Sequence, residues 1–264
     1  MKRHYQLFFL LISLLTATFL SGCASTAADP NAAFRGESLN YMFQTAQHDM
    51  ARKKYARAIK RYEAMDALYP FSPYSEEADL NLIYAYYQNG DSPQATCAAD
   101  RFTKLYPRSP YVDYAFYMKG LAGFEQDRGW VQKYLPSDLS QRDPGVARQS
   151  FDDFGTLIRL FPNSCYAADA RQHMIYLRNL LGAYELHVAK YYLRRGAYVG
   201  AANRANYIIQ HYDGTPSVQE ALGVLVLSYN ALGLPELAYQ SWTILQMNYP
   251  NGCVIRALMQ HKFG

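Results

Sequence analysis

Acids, bases and nucleophiles all occur in this 264-residue chain, but not at spacings that would let them cooperate. Glu76-Glu77 and Asp152-Asp153 are the adjacent carboxylates that could divide general-acid and general-base roles. Neighbours one residue apart on a helix point away from each other, so both pairs read as solvated helix faces. His48, His173, His187, His211 and His261 are scattered, and no H-E-x-x-H, G-x-S-x-G, Walker A or G-x-G-x-x-G pattern accompanies them. Cys97, Cys165 and Cys253 form no C-x-x-C pair, which removes redox and zinc-knuckle chemistry. They read as small buried or half-buried residues, and spacing assigns no disulfide among them. The expectation is no catalytic residue, no metal site and no cofactor: not an enzyme but a recognition protein.

Composition narrows the kind of recognition. The net charge is +4 and charged residues make up 18%, with Asp and Glu interleaved among Lys and Arg, which argues against a nucleic-acid partner. With 25 Tyr and 13 Phe the chain has ample apolar surface to outweigh the entropy of ordering, so it must fold. Its start is different. Lys2 and Arg3 precede an apolar run from Leu7 to Leu20, too short for a bilayer span and suited to an export signal. Leu20-Ser21-Gly22-Cys23 resembles the bacterial lipobox, which makes 1–22 a lipoprotein signal peptide and Cys23 the acylated mature N-terminus. Ala24, which is not Asp, implies sorting to the outer membrane, with the body facing the periplasm. Residues 23–37, with Pro30 and Gly36, read as a flexible tether.

From Ser38 onward the apolar spacing is helical, and it repeats. Leu68-Tyr69-Pro70, Leu105-Tyr106-Pro107, Leu160-Phe161-Pro162, Tyr212-Asp213 and Tyr249-Pro250 each close an amphipathic helix. Aligned on those closures, the second unit offers Leu82, Tyr86, Gly90, Ala95, Phe102 and Pro107 where a tetratricopeptide repeat needs packing, turn, close crossing and stop residues. The expected fold is all-α: a right-handed superhelix of five tetratricopeptide-like helix-turn-helix repeats. The front repeats 1 to 3 would occupy 38–164, with an insertion loop over 125–144 carrying Trp130, Tyr134 and Leu135. Residues 165–264 would hold a long connecting helix, bent at Gly182, and back repeats 4 and 5.

The first helix of each repeat lines the concave face. Positions 2, 5, 9 and 12 of those helices give Phe43, Leu80, Tyr84, Tyr87, Tyr114, Tyr117, Leu121 and Phe124, an aromatic groove in the front half. Tyrosine grips an extended peptide well, because it adds apolar area at low rotamer cost and keeps a hydroxyl for backbone groups.

Several motifs in order carry a closer likeness. They are Cys23 after the lipobox, Tyr69-Pro70-Phe71-Ser72-Pro73-Tyr74-Ser75, Leu82-Ile83-Tyr84-Ala85-Tyr86-Tyr87, Asp100-Arg101-Phe102, Arg142-Asp143-Pro144, Phe161-Pro162-Asn163-Ser164 and Arg195-Gly196-Ala197-Tyr198. Together they resemble the BamD-type lipoproteins of the β-barrel assembly machinery over the whole mature chain. The resemblance implies a scaffold that assists folding and insertion of outer-membrane β-barrels. Its partners would be unfolded outer-membrane protein precursors with aromatic-ended C-termini, other lipoproteins of the complex, and the periplasmic domain of the barrel subunit BamA. Arg195 and Arg204 lie in the matching back-half segment and become the docking candidates. Two other readings remain at this point, a pilotin for secretin assembly and an adaptor that recruits a cell-wall enzyme.

Overall fold

The computed structural model describes Asp29 and residues 31–134 and 143–260, with backbone alone over 126–134. The lipobox, Cys23, Leu135 and Arg142 lie outside the described residues, as do the side chains of Trp130 and Tyr134. Among the described residues there are a short 3-10 turn and α-helices, and no strand. The helices are α1 (Leu39–Ala51), α2 (Tyr55–Leu68), α3 (Ser75–Gln88), α4 (Ser92–Leu105), α5 (Val112–Tyr134), α6 (Gly145–Leu160), α7 (Ala167–Arg194), α8 (Tyr198–His211), α9 (Ser217–Ala231), α10 (Pro235–Asn248) and α11 (Cys253–Met259). Each helix from α1 to α9 packs on the next, and the first helices of successive pairs also touch: α3 on α5, α5 on α7, α7 on α9 and α9 on α11. That is the contact pattern of a tetratricopeptide-like stack, in which one pair buries the face the previous pair leaves open.

Repeat punctuation in the sequence becomes repeated geometry. Tyr69, Tyr106, Phe161, Tyr212 and Tyr249 are the C-caps of α2, α4, α6, α8 and α10. Each backbone N–H donates to the carbonyl four residues back, on Met65, Phe102, Leu157, Ile208 and Leu245, whose side chains are all buried. Within the pairs, Gly90, Gly196 and Gly233 take positive φ just beyond the first helix, and the following N–H reaches back five residues to close a Schellman motif. In the first pair Lys53 holds the same position with φ 58°, a conformation that favours glycine.

Small residues sit where helices cross. A Cβ added at Gly120 of α5 would lie 2.8 Å from the Phe154 ring of α6, which is fully buried. Ala95 of α4 has no exposure. Ala95→Leu is therefore expected to overpack the crossing and to cost about 1–3 kcal/mol in denaturant unfolding. An unchanged midpoint would mean that Ala95 has slack around it.

Two features depart from the expected layout. The segment expected to loop from Glu125 begins instead as helix, α5 continuing to Tyr134. No proline or helix-ending glycine stops it before Pro136, so the aromatic residues in this stretch did not by themselves signal a turn. The cysteines were expected to be covered, yet Cys97, Cys165 and Cys253 are exposed free thiols. The connecting helix α7 runs unbroken through Gly182, which is buried against Tyr212, Thr215 and Ser217.

Candidate functional site

Helices α3, α5 and α7 bring most of the expected aromatic residues together. Tyr84, 37% exposed, and half-buried Tyr87 come from α3; half-buried Tyr114 and Tyr117 come from α5. Tyr166, at the N-cap of α7, completes the surface. Its ring stacks on Tyr117 with centroids 4.8 Å apart and tilts against Tyr114 at 5.5 Å. Leu80 and Leu121 lie half-buried beneath the tyrosines. At the other end Tyr55, which opens α2, meets Tyr84 edge to face at 6.3 Å. The result is a diagonal tyrosine strip from the start of α7 to the start of α2.

Its hydroxyls stay protonated at neutral pH. Burial lifts the phenol pKa values of Tyr87, Tyr114 and Tyr117 above the ordinary value, and nearby hydroxyls add to the effect at Tyr114. Tyr117 Oη donates to Asp169 Oδ2 at 2.7 Å, and His173 Nε2 lies 3.1 Å from the same oxygen. His173 in turn stacks on Phe154 at 5.2 Å. Phenols that stay protonated at neutral pH offer O–H groups to peptide carbonyls, while their ring faces offer apolar contact.

Two residues expected in the groove belong to the core. Phe43, 9% exposed, is covered by Tyr74, stacked at 4.5 Å, and by the edge of Tyr62. Phe124, 5% exposed, is enclosed by His173 and Tyr176. Helix-face arithmetic placed both on the concave side, but the aromatic ring of the following repeat closes over each. Tyr166 escaped that arithmetic because it precedes its helix. A signal existed: Tyr74, Tyr111 and Tyr166 each stand five residues after a closing aromatic, so the same ring recurs at the first three repeat junctions.

Buried charge is the other feature that spacing concealed. Asp153, expected on a solvated face, is buried and lies 3.2 Å from Lys119 Nζ. Burial raises its pKa above the usual carboxylate value, opposed by Lys119. Asp79 is buried against Arg101 Nη2 at 2.5 Å and accepts from Tyr106 Oη at 3.2 Å, and burial again raises its pKa. Asp152 and Glu77 are exposed as expected.

A cleft of about 670 Å³ beside α4, lined by Cys97, Asp100, Arg101, Lys104 and Lys119, has its charges engaged in pairs with acidic groups of this chain. Among the described residues no group of three His, Cys, Asp or Glu is placed to hold a metal ion.

The docking candidates differ in their freedom. Arg195 is exposed, its guanidinium over the Tyr191 ring of its own helix at 5.4 Å. Arg204 Nη1 pairs at 2.8 Å with Glu185, which is buried and also lies 3.9 Å from Arg148. Arg204 thus has an internal task.

Residues 36–244 match the family YfiO, described as outer membrane lipoprotein. The chain is 38% identical to the outer membrane protein assembly factor BamD of Neisseria meningitidis serogroup A over 243 residues, 91% of each chain. It is 35% identical to the factor of the same name from Xylella fastidiosa strain 9a5c, over 91% of this chain and 82% of that one. With the Vibrio cholerae factor the identity is 34%, over 90% and 97%.

Proposed function

The chain belongs to the YfiO family of outer membrane lipoproteins and works in outer-membrane protein assembly, and from that premise we propose that its tyrosine strip receives unfolded precursors. It would act without catalysis, as a scaffold held at the outer membrane by lipid on Cys23 and facing the periplasm. The observation that carries the reading is the run of partly exposed rings on Tyr84, Tyr87, Tyr114, Tyr117 and Tyr166. An extended segment with alternating side chains can lay apolar groups between those rings while its carbonyls meet the hydroxyls. The pilotin and cell-wall adaptor readings gain no support from these relatives.

The test is a synthetic peptide with the alternating, aromatic-terminated pattern of a barrel strand, titrated into the protein. Affinity is expected to be modest, because ordering the peptide offsets much of the gross interaction. Replacing Tyr84 and Tyr117 together by Ala removes two anchors and should weaken binding at least about tenfold. A folded double variant with unaltered affinity would mean that precursors are received on another surface.

The back half supports a second contact, to the periplasmic domain of BamA, with other lipoproteins of the complex as further partners. Arg195→Glu is expected to reduce recovery of BamA in co-purification while leaving thermal unfolding unchanged. Arg204→Glu should lower thermal stability as well, since it sets a new carboxylate beside buried Glu185. Full recovery of BamA with Arg195→Glu would place that interface elsewhere.

A further inference from the structure

The tyrosine strip has two differently charged ends. At the α7 end stand Asp113, beside Tyr114, and Asp169, which accepts from Tyr117. At the α2 end the turn Arg52-Lys53-Lys54 runs directly into Tyr55, whose ring meets Tyr84. All three cations are exposed, and none has an ion-pair partner among the described residues.

That turn departs from its own repeats. Where the equivalent turns read Asn89-Gly90-Asp91, Arg195-Gly196-Ala197 and Leu232-Gly233-Leu234, the first repeat places lysine in the left-handed position. At the next position Lys54 makes no side-chain cap, as at Ala197 and Leu234, whereas Asp91 accepts from the Gln94 N–H to cap α4. The left-handed lysine costs local stability, and local rules are most often broken where a site requires it.

We infer that the Arg52-Lys53-Lys54 turn seats the terminal carboxylate of the bound peptide, so that the chain lies along the tyrosines with its C-terminus at α2 and its preceding residues toward Asp169. This rests on the strip being the peptide-receiving surface. A terminal carboxylate is an anion carried by the end of every unmodified chain, so three cations beside an aromatic shelf select chain ends over internal segments of the same composition. Charge at both ends then fixes one direction of binding.

The experiment compares one Phe-terminated strand peptide as free acid and as C-terminal amide, titrated into the acylated full-length protein in detergent micelles. A second protein carries Arg52→Gln, Lys53→Asn and Lys54→Gln, asparagine being chosen because it tolerates the left-handed conformation. The free acid is expected to bind the unaltered protein about fivefold more tightly than the amide, the scale of an exposed charge-pair interaction. Added salt should erode that preference, and the triple variant should abolish it by weakening the acid alone. Equal binding of acid and amide, with both still weakened by Tyr84→Ala and Tyr117→Ala, would overturn the assigned direction and leave the tyrosine site standing. Binding of neither peptide responding to the tyrosine substitutions would remove the site itself. If the triple variant instead loses affinity for anionic phospholipid vesicles while the preference for the acid persists, the turn faces lipid and the inference fails.

Discussion

Cys23→Ala protein is expected to carry no lipid and to be lost from the outer membrane, accumulating as uncleaved precursor or as soluble periplasmic protein. The argument is chemical. On the proposed reading of Leu20-Ser21-Gly22-Cys23 as a lipobox, the thiol would be the group that accepts diacylglycerol, and alanine offers nothing to alkylate. Burying an acyl chain contributes about 0.8 kcal/mol per methylene, so a multiply acylated cysteine is an anchor that does not readily come free. No helix among the described residues is long and apolar enough to cross a membrane and take over that role. Membrane fractionation with mass spectrometry of the N-terminal peptide checks the outcome, and a variant still cleaved and lipid-modified would overturn it. Peptide binding should survive the loss of lipid, because the packed tyrosines do not depend on Cys23.

Lys119→Met is expected to cost about 3 kcal/mol near neutral pH, the range found when one partner of a buried ion pair is removed. Lys119 Nζ lies 3.2 Å from both Asp153 Oδ1 and Asp100 Oδ1, and its side chain is 18% exposed. Burial alone would lower its pKa, but Asp153 and Asp100 outweigh that and hold the ammonium above its ordinary value. Methionine fills similar volume, so the deficit reports charge rather than a cavity. Asp153 is left buried with only Gln149 Nε2, at 3.2 Å, to satisfy it.

The pH dependence has a definite sign. A carboxyl whose folded pKa is raised contributes its full stability below the unfolded value of 3.8 and loses it as pH rises through the folded value. Burial already raises Asp153, and losing Lys119 should raise it further. The deficit of the variant should therefore be larger at about pH 8 than at about pH 5. Adding Asp153→Asn should restore most of the loss at the higher pH. Denaturant unfolding of both variants at the two pH values decides the matter. A deficit independent of pH and unrelieved by Asp153→Asn would show that packing, not the buried charge, was disturbed.

Local residues announced the local architecture. The closing aromatics became helix caps, Gly90, Gly196 and Gly233 became turns of positive φ, and Ala95 became a closed crossing. Each is a property of one helix end or one crossing, and in a repeat array the same contact recurs from unit to unit. The length of α5 was not legible in the same way, because Trp130 and Tyr134 read as loop residues although the first proline of that segment stands only at Pro136.

The sequence by itself determined that this protein is a helical repeat chain, and its motif order determined the family. Both follow from short-range physics: apolar periodicity fixes which helix face is buried, and glycine and proline fix where helices stop. Which aromatic rings remain partly open was decided only in the stack. Phe43 and Tyr117 stand on matching helix faces, yet Tyr74 covers the first while Tyr166 extends the surface of the second. Buried charge was likewise a tertiary outcome. Asp152 and Asp153 are indistinguishable as neighbours in sequence, and only the approach of α5, bearing Lys119, makes one of them an interior carboxylate and leaves the other in solvent. A residue's exposure and charge partners depend on surfaces contributed from tens of residues away, and one helix's periodicity contains no record of them.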